Sequence, residues 1–206
     1  MTLHIENQMV VDKGQRIGLL GGSFNPAHEG HLHISNLALE LLNLDCVWWM
    51  VSPQNPLKTT DGMASLDTRM EKARRVAADS RIMVTDIERE LDTQYTADTL
   101  PALQKMFSGG QFVWLMGADN LAQIEQWHEW EKIFMTLPVA IFARPMYSKD
   151  AENAKAVSQF APYRVSEDKA STLADMKPPA WAFLKTPLNA ISATEIRSQS
   201  NGSWTN

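Results

Sequence analysis

Short runs of aliphatic, β-branched and aromatic residues alternate along this chain with segments whose apolar positions recur every three or four residues. "RIGLLGG" (16–22) predicts a strand that enters a glycine turn. "GHLHISNLALELLNLD" follows, with Ile34, Leu37, Ala38, Leu41 and Leu42 at the spacing of one helical face. "CVWWMVS" (46–52) predicts a second buried strand, ended by the loop "PQNPLKTTDG". Leu66, Met70, Ala73 and Ala77 mark the next helix, and "RIMVTDIE" (81–88) predicts a third strand. "TADTLPALQKMF" (96–107) reads as a helix stopped by Gly109-Gly110. "QFVWLMGA" (111–118), the segment from Asp119 to Phe134, and "PVAIFAR" (138–144) predict strand, helix, strand. Residues 146–179 are patterned weakly, with a helix near 150–160, and "WAFLKTP" (181–187) predicts the last strand.

Apolar runs without clean alternation, separated by helices, indicate parallel strands covered on both faces. The expected fold is therefore α/β, a doubly wound Rossmann-like parallel sheet with right-handed crossovers. One domain over 1–206 is expected, with 1–15 as an N-terminal extension and 188–206 as a C-terminal motif and tail. Ligands of such sheets bind beyond the C-terminal ends of the strands. That rule places "GGSFNPAHEGH", "SPQNPLK", "GADN" and "ARP" on one rim.

Composition narrows the ligand. The chain has 206 residues, 44% hydrophobic and 21% charged, ordinary values for a globular protein. A net charge of −5 argues against broad nucleic-acid or anionic-membrane binding. An anionic small molecule stays compatible, because helix N-termini and a few cations bind phosphate on an acidic protein. Cys46 is the only cysteine, so no internal disulfide forms, and its apolar run predicts a buried, inert thiol. The N-terminus lacks the apolar core of a signal peptide, and no apolar run approaches the roughly 18 residues of a membrane span. A soluble, cytoplasmic protein is expected.

The chemistry concentrates in "GGSFNPAHEGH". Gly21 and Gly22 would let a ligand approach the backbone, and Gly30 would do the same in the first helical turn. His28 and His31, three residues apart, share a direction once the helix has begun. Imidazole N–H groups placed there, with exposed backbone N–H groups, can bind phosphate oxygens. The plain alternative is a strand–turn–helix junction with incidental histidines. Neither G-x-G-x-x-G nor G-x-x-x-x-G-K-[ST] is present. His33 would be a third zinc ligand, but it lies off the His28/His31 face and has no cysteine partner nearby, so no protein metal site is expected. Elsewhere, Asp119 reads as an N-cap and Ser192-x-x-Glu195 as a capping box. Trp48, Trp49, Trp114 and Trp130 read as core.

The motif "GGSFNPAHEGH" resembles the H-x-G-H signature of the nucleotidyltransferase superfamily, which includes the pyridine-nucleotide and phosphopantetheine adenylyltransferases. With "PQNPLK", "YTADTL", "GADNLAQIEQWHEWEKI" and "ISATEIR" in order from about Arg16 to Arg197, the chain most resembles the bacterial nicotinate mononucleotide adenylyltransferases. The resemblance implies AMP transfer from ATP to nicotinate mononucleotide, with Mg²⁺ arriving on ATP. It implies His28, His31 and Arg197 at the reacting phosphates. It further implies Gly21, Gly22, Ser23, Phe24, Gly30, Asp119, Ser192 and Thr194 at ATP. For the mononucleotide it implies Lys58 at the phosphate, Trp127 stacked on the pyridine ring, and Tyr95, Thr96 and His128 near the nicotinate carboxylate, with Thr96 as N-cap. Gln94 stands where the family has serine, Leu57 where it often has histidine, and Asn25 where many members have aspartate. Two other readings stay open: an adenylyltransferase preferring nicotinamide mononucleotide or phosphopantetheine, and a non-catalytic nucleotide-binding module.

Overall fold

The computed structural model describes residues 9–53, 63–144 and 151–185. Its strands are β1 (Arg16–Gly22), β2 (Cys46–Val51), β3 (Ile82–Thr85), β4 (Gln111–Gly117), β5 (Val139–Phe142), β6 (Arg164–Val165) and β7 (Trp181–Leu184). All join one sheet in the order β3-β2-β1-β4-β5-β7-β6, and every pairing is parallel. The helices are α1 (Glu29–Leu41), α2 (Leu66–Val76), α3 (Ile87–Glu90), α4 (Thr96–Met106), α5 (Ala118–Leu121), α6 (Trp130–Thr136) and α7 (Lys155–Gln159). This is the expected Rossmann-like α/β fold.

Period-2 alternation assigns each strand's side chains to two apolar layers. Ile17, Leu19, Trp48, Met50 and Trp114 face one side, where α4 and α6 add Leu100, Leu103, Ile133 and Phe134. Leu20, Val47, Trp49, Val113 and Leu115 face the other, where Ile34, Ala38 and Leu39 of α1 and Met70 and Ala73 of α2 cover them. With both faces covered, the central strands bury nearly every residue, which is why they lack alternation in sequence. The core tryptophans sit as expected: Trp48, Trp49, Trp114 and Trp130 are all buried. Cys46 is buried too, and burial pushes its thiol up to about 11, out of reach of ordinary thiolate chemistry.

Four expectations shift. On α1 the buried positions are Gly30, Ile34, Ser35, Ala38 and Leu39, whereas Leu41 is exposed. Ser35 takes a core position because its hydroxyl accepts the Trp49 indole N–H at 2.7 Å, so the buried face is not purely apolar. The third strand ends at Thr85, and "IERE" turns into α3 instead of extending it. The single helix expected from Asp119 to Phe134 is broken into α5, a 3₁₀ turn at Ile124–Gln126, and α6. The weakly patterned region contains the two-residue β6 and a 3₁₀ stretch, Glu167–Asp175, besides α7. Of the N-terminal extension, Met9 and Val11 pack on the core, and the Gly14 N–H donates to the Gly109 carbonyl at 2.8 Å.

Candidate active site

Strand order reverses between β1 and β4, whose chain continuations leave the sheet in opposite directions. A cavity of about 590 Å³ opens there, at the C-terminal strand ends. The end of β1 and the turn after it supply Gly22, Ser23 and Phe24, and the N-cap and first turn of α1 supply His28 and His31. Ser52 comes from the end of β2, Gly117 and Asp119 from the end of β4, and Arg144 from the segment after β5. Each group follows a strand, so the sheet itself converges them.

The histidines start α1. His28 is its N-cap, extended at φ −152°, ψ 170°. Its Nδ1 accepts the Gly30 N–H at 3.1 Å, while the His31 Nδ1 accepts the His28 N–H at 3.2 Å. This is the reciprocal logic of a capping box, built from two imidazoles. A neutral imidazole whose Nδ1 accepts carries its proton on Nε2. Both rings line the cavity with centroids 3.9 Å apart. The result is a pair of neutral N–H donors on one wall. Burial and then the Arg144 charge lower His28 from 6.5 to about 4. Burial, then the charges of His28 and Arg144, hold His31 well below its ordinary range. The capped strand–turn–helix junction is compatible with the phosphate reading, because the same contacts that cap the helix orient the donors.

The glycines divide. A Cβ at Gly21 would run into the ring of Trp114, so close packing under the cavity, and not only ligand approach, requires glycine there. Gly30 does not line the cavity among the described residues; it is buried, and its N–H is consumed by His28. In the structure its N–H serves the cap of α1. Ser23 and Phe24 do line the cavity, and Phe24 holds a left-handed φ of 45°.

At the other end, Tyr95 is the N-cap of α4, one residue before the expected Thr96. The Tyr95 side chain makes no capping bond, so among the described residues the first N–H groups of α4 have no side-chain cap. Tyr95, Thr96, Trp127 and His128 all line the cavity, and the Tyr95 and His128 rings lie 4.4 Å apart. The break between α5 and α6 accomplishes this. Glu129 turns the chain with φ 45°, and Lys132 bonds both Asp98 of α4 at 3.0 Å and Glu129 at 3.1 Å. Trp127 and His128 thereby sit on a loop pinned against α4.

Asp119 is not an N-cap, because the strand runs on to Gly117, which takes that position. Its Oδ1 instead pairs with Arg144 Nε at 3.3 Å, across a surface where a Cβ on Gly117 would collide with both side chains. Sequence reasoning put "ARP" on the rim but did not single out Arg144. It also missed Glu88, which the strand reading hid. Glu88 is 7% exposed and lines the cavity. Burial pushes its carboxyl up to about 7, against hydrogen bonds from Ser52 and Thr99 that favour the charged form. Lys58, Ser192, Thr194 and Arg197 lie outside the described residues. No helix among the described residues is long and apolar enough to cross a membrane.

The cytidylyltransferase-like family model matches residues 19–199. A protein of Parvibaculum lavamentivorans named "Probable nicotinate-nucleotide adenylyltransferase" is 49% identical over 191 residues, 93% of this chain and 94% of that one. One of the same name from Methylorubrum extorquens is 48% identical over 184 residues, 89% of this chain and 100% of that one. The chain belongs to the nicotinate-nucleotide adenylyltransferase family. The Plasmodium falciparum nicotinic acid mononucleotide adenylyltransferase complexed with NaAD superposes with a TM-score of 0.67 at 18% identity, over 89% of this chain and 83% of that one, which shows the shared fold. In this adenylyltransferase, then, the H-x-G-H histidines and the Trp127 loop line one cavity of about 590 Å³ at the switch point of the sheet.

Proposed function

We propose that the protein transfers AMP from ATP to nicotinate mononucleotide, releasing pyrophosphate and forming nicotinate adenine dinucleotide, a step of NAD biosynthesis. The observation that carries this reading is the pair of capping bonds that occupies Nδ1 of both His28 and His31 and leaves Nε2 as the donor on two rings that line the cavity. An oxygen of the mononucleotide phosphate attacks the α-phosphorus of ATP. The new O–P bond forms as the bond to the bridging oxygen of the β-phosphate breaks, and that electron pair leaves with pyrophosphate. The attacking phosphate is ionised at neutral pH, so no general base is needed. Catalysis is alignment and stabilisation of charge on the transferring group.

Neutral histidines suit that task, because they donate to phosphate oxygens without a proton equilibrium near pH 7. Arg144 supplies a fixed positive charge beside them. Mg²⁺ enters as part of the substrate, chelated by ATP. The "ISATEIR" motif adds Ser192, Thr194 and Arg197 at the ATP phosphates, Asp119 lies toward the ribose of ATP, and Lys58 holds the mononucleotide phosphate. These assignments rest on the family resemblance. Trp127 stacks on the pyridine ring. Backbone N–H groups at the start of α4 and at His128 receive the nicotinate carboxylate, where an exposed helix N-terminus favours an anion. The cytoplasm is the compartment this reading implies. Pyrophosphate release on mixing protein, ATP, Mg²⁺ and nicotinate mononucleotide tests the reading. No release with this mononucleotide, or release only with phosphopantetheine, overturns it.

A further inference from the structure

Arg69, on α2, is 2% exposed, an unusual place for a guanidinium. It makes no ion pair with a carboxylate among the described residues. Among the described residues its hydrogen bonds go to main-chain carbonyls. Nη1 donates to Ser23 and Ser52 at 2.7 Å each, Nη2 to Pro53 at 2.9 Å, and Nε to Ala64 at 3.0 Å. Asn25 joins the same knot, its Oδ1 accepting the Ala64 N–H at 3.2 Å. One buried fork therefore ties the turn after β1 to the end of β2 and to the residues before α2. Burial opposes its charge and lowers its pKa, so four carbonyl dipoles do the work that water does elsewhere.

The Ser23 bond has a geometric consequence. In a trans peptide the C=O and the following N–H point in opposite directions. A Ser23 carbonyl drawn to Arg69 turns the Phe24 N–H away from Arg69, and Ser23 and Phe24 both line the cavity. That N–H takes no part in the backbone hydrogen bonds of the surrounding turn among the described residues. Phe24 also sits in the left-handed region, a conformation that needs support from its surroundings.

We infer that Arg69 is a positioning residue for adenylyl transfer: without touching substrate, it fixes the Ser23–Phe24 peptide so that the Phe24 N–H meets the phosphates. The inference rests on the function proposed above. Lysine cannot reproduce a planar fork with several fixed donors, so Arg69→Lys keeps the charge and loses the geometry.

The test compares wild type, Arg69→Lys and Arg69→Met in steady-state pyrophosphate release, varying each substrate, with thermal melting as the check on folding. The Phe24 amide resonance is followed as MgATP is added. Arg69→Lys is expected to melt as a folded protein, lose about tenfold or more in kcat, and show a diminished Phe24 shift. Arg69→Met is expected to lose more. Should the Met variant fail to fold, the Lys variant decides. Arg69→Lys with kcat, both KM values and the Phe24 response within twofold of wild type overturns the inference. If wild type itself releases no pyrophosphate, the function is wrong, and the Phe24 response to MgATP in wild type against Arg69→Lys still decides the role of Arg69.

Discussion

Replacing His28 by asparagine should make the protein more resistant to acid. Asparagine is a good N-cap and keeps an acceptor for the Gly30 N–H. At pH 8 the variant should lie within about 1 kcal/mol of wild type, the cost of the lost ring contact with His31. Below pH 6.5 the two should diverge. The unfolded chain takes up a proton on His28 near 6.5, whereas the folded protein resists until about 4. The neutral ring's stability is therefore complete above 6.5 and is lost progressively as pH falls through this window. At about 1.4 kcal/mol per pH unit the full loss is about 3–4 kcal/mol. His28 lines the open cavity, so solvent screening brings the expected loss to about 2 kcal/mol. His31 is common to both proteins, so most of its own contribution cancels in the difference. Urea unfolding followed by tryptophan fluorescence, repeated from pH 8 to pH 4, measures it. Asparagine should gain about 2 kcal/mol relative to wild type by pH 4. A difference that stays constant within about 0.5 kcal/mol would refute the reasoning that His28 is held neutral.

Glu88→Gln should show the opposite trend: the folded protein keeps its proton from 4.5 up to about 7 while the unfolded chain releases it, so wild type loses stability as pH rises through that window. The Gln variant should therefore gain up to about 3 kcal/mol relative to wild type between pH 4 and pH 8 by urea unfolding, and a pH-independent difference contradicts this. His31→Ala should lose the equivalent of about 3–4 kcal/mol in turnover, as removal of an oxyanion-site donor does. Its stability should fall by only about 1 kcal/mol, because it gives up one capping bond; near wild-type kcat would remove His31 from the reaction. Trp127→Ala should raise KM for nicotinate and nicotinamide mononucleotides alike while leaving their ratio largely unchanged, and a loss confined to one of them would show that the indole is not a shared stacking surface.

The strand-end motifs were legible because the topology of a parallel sheet follows from hydrophobic pattern, and ligand position follows from topology. What escaped the sequence escaped for local reasons. The helix expected over Asp119–Phe134 kept its apolar period through Leu121, Ile124, Ile133 and Phe134, all buried. The break rests on Glu129 in a left-handed conformation, a state that glutamate does not advertise. Glu88 looked like the end of a strand because "RIMVTDIE" has no breaker, yet the chain turns at Asp86 into α3 and carries the carboxylate into the cavity. Arg69 had no sequence signal at all: on an amphipathic helix an arginine reads as solvent-facing, and only tertiary structure brings four carbonyls to it.

Competition between the two pyridine mononucleotides tests the central claim most directly. On the proposed reading, backbone N–H donors at the start of α4 and beside His128 would satisfy both oxygens of a carboxylate but oppose the NH₂ of a carboxamide. Each mismatch costs on the order of 1–3 kcal/mol. Two modest mismatches amount to at least about a hundredfold in kcat/KM. Purified protein with ATP, Mg²⁺ and equimolar nicotinate and nicotinamide mononucleotides, with both dinucleotides quantified by chromatography, should give nicotinate adenine dinucleotide by at least that margin. Equal rates for the two products, or no dinucleotide at all, would contradict the account.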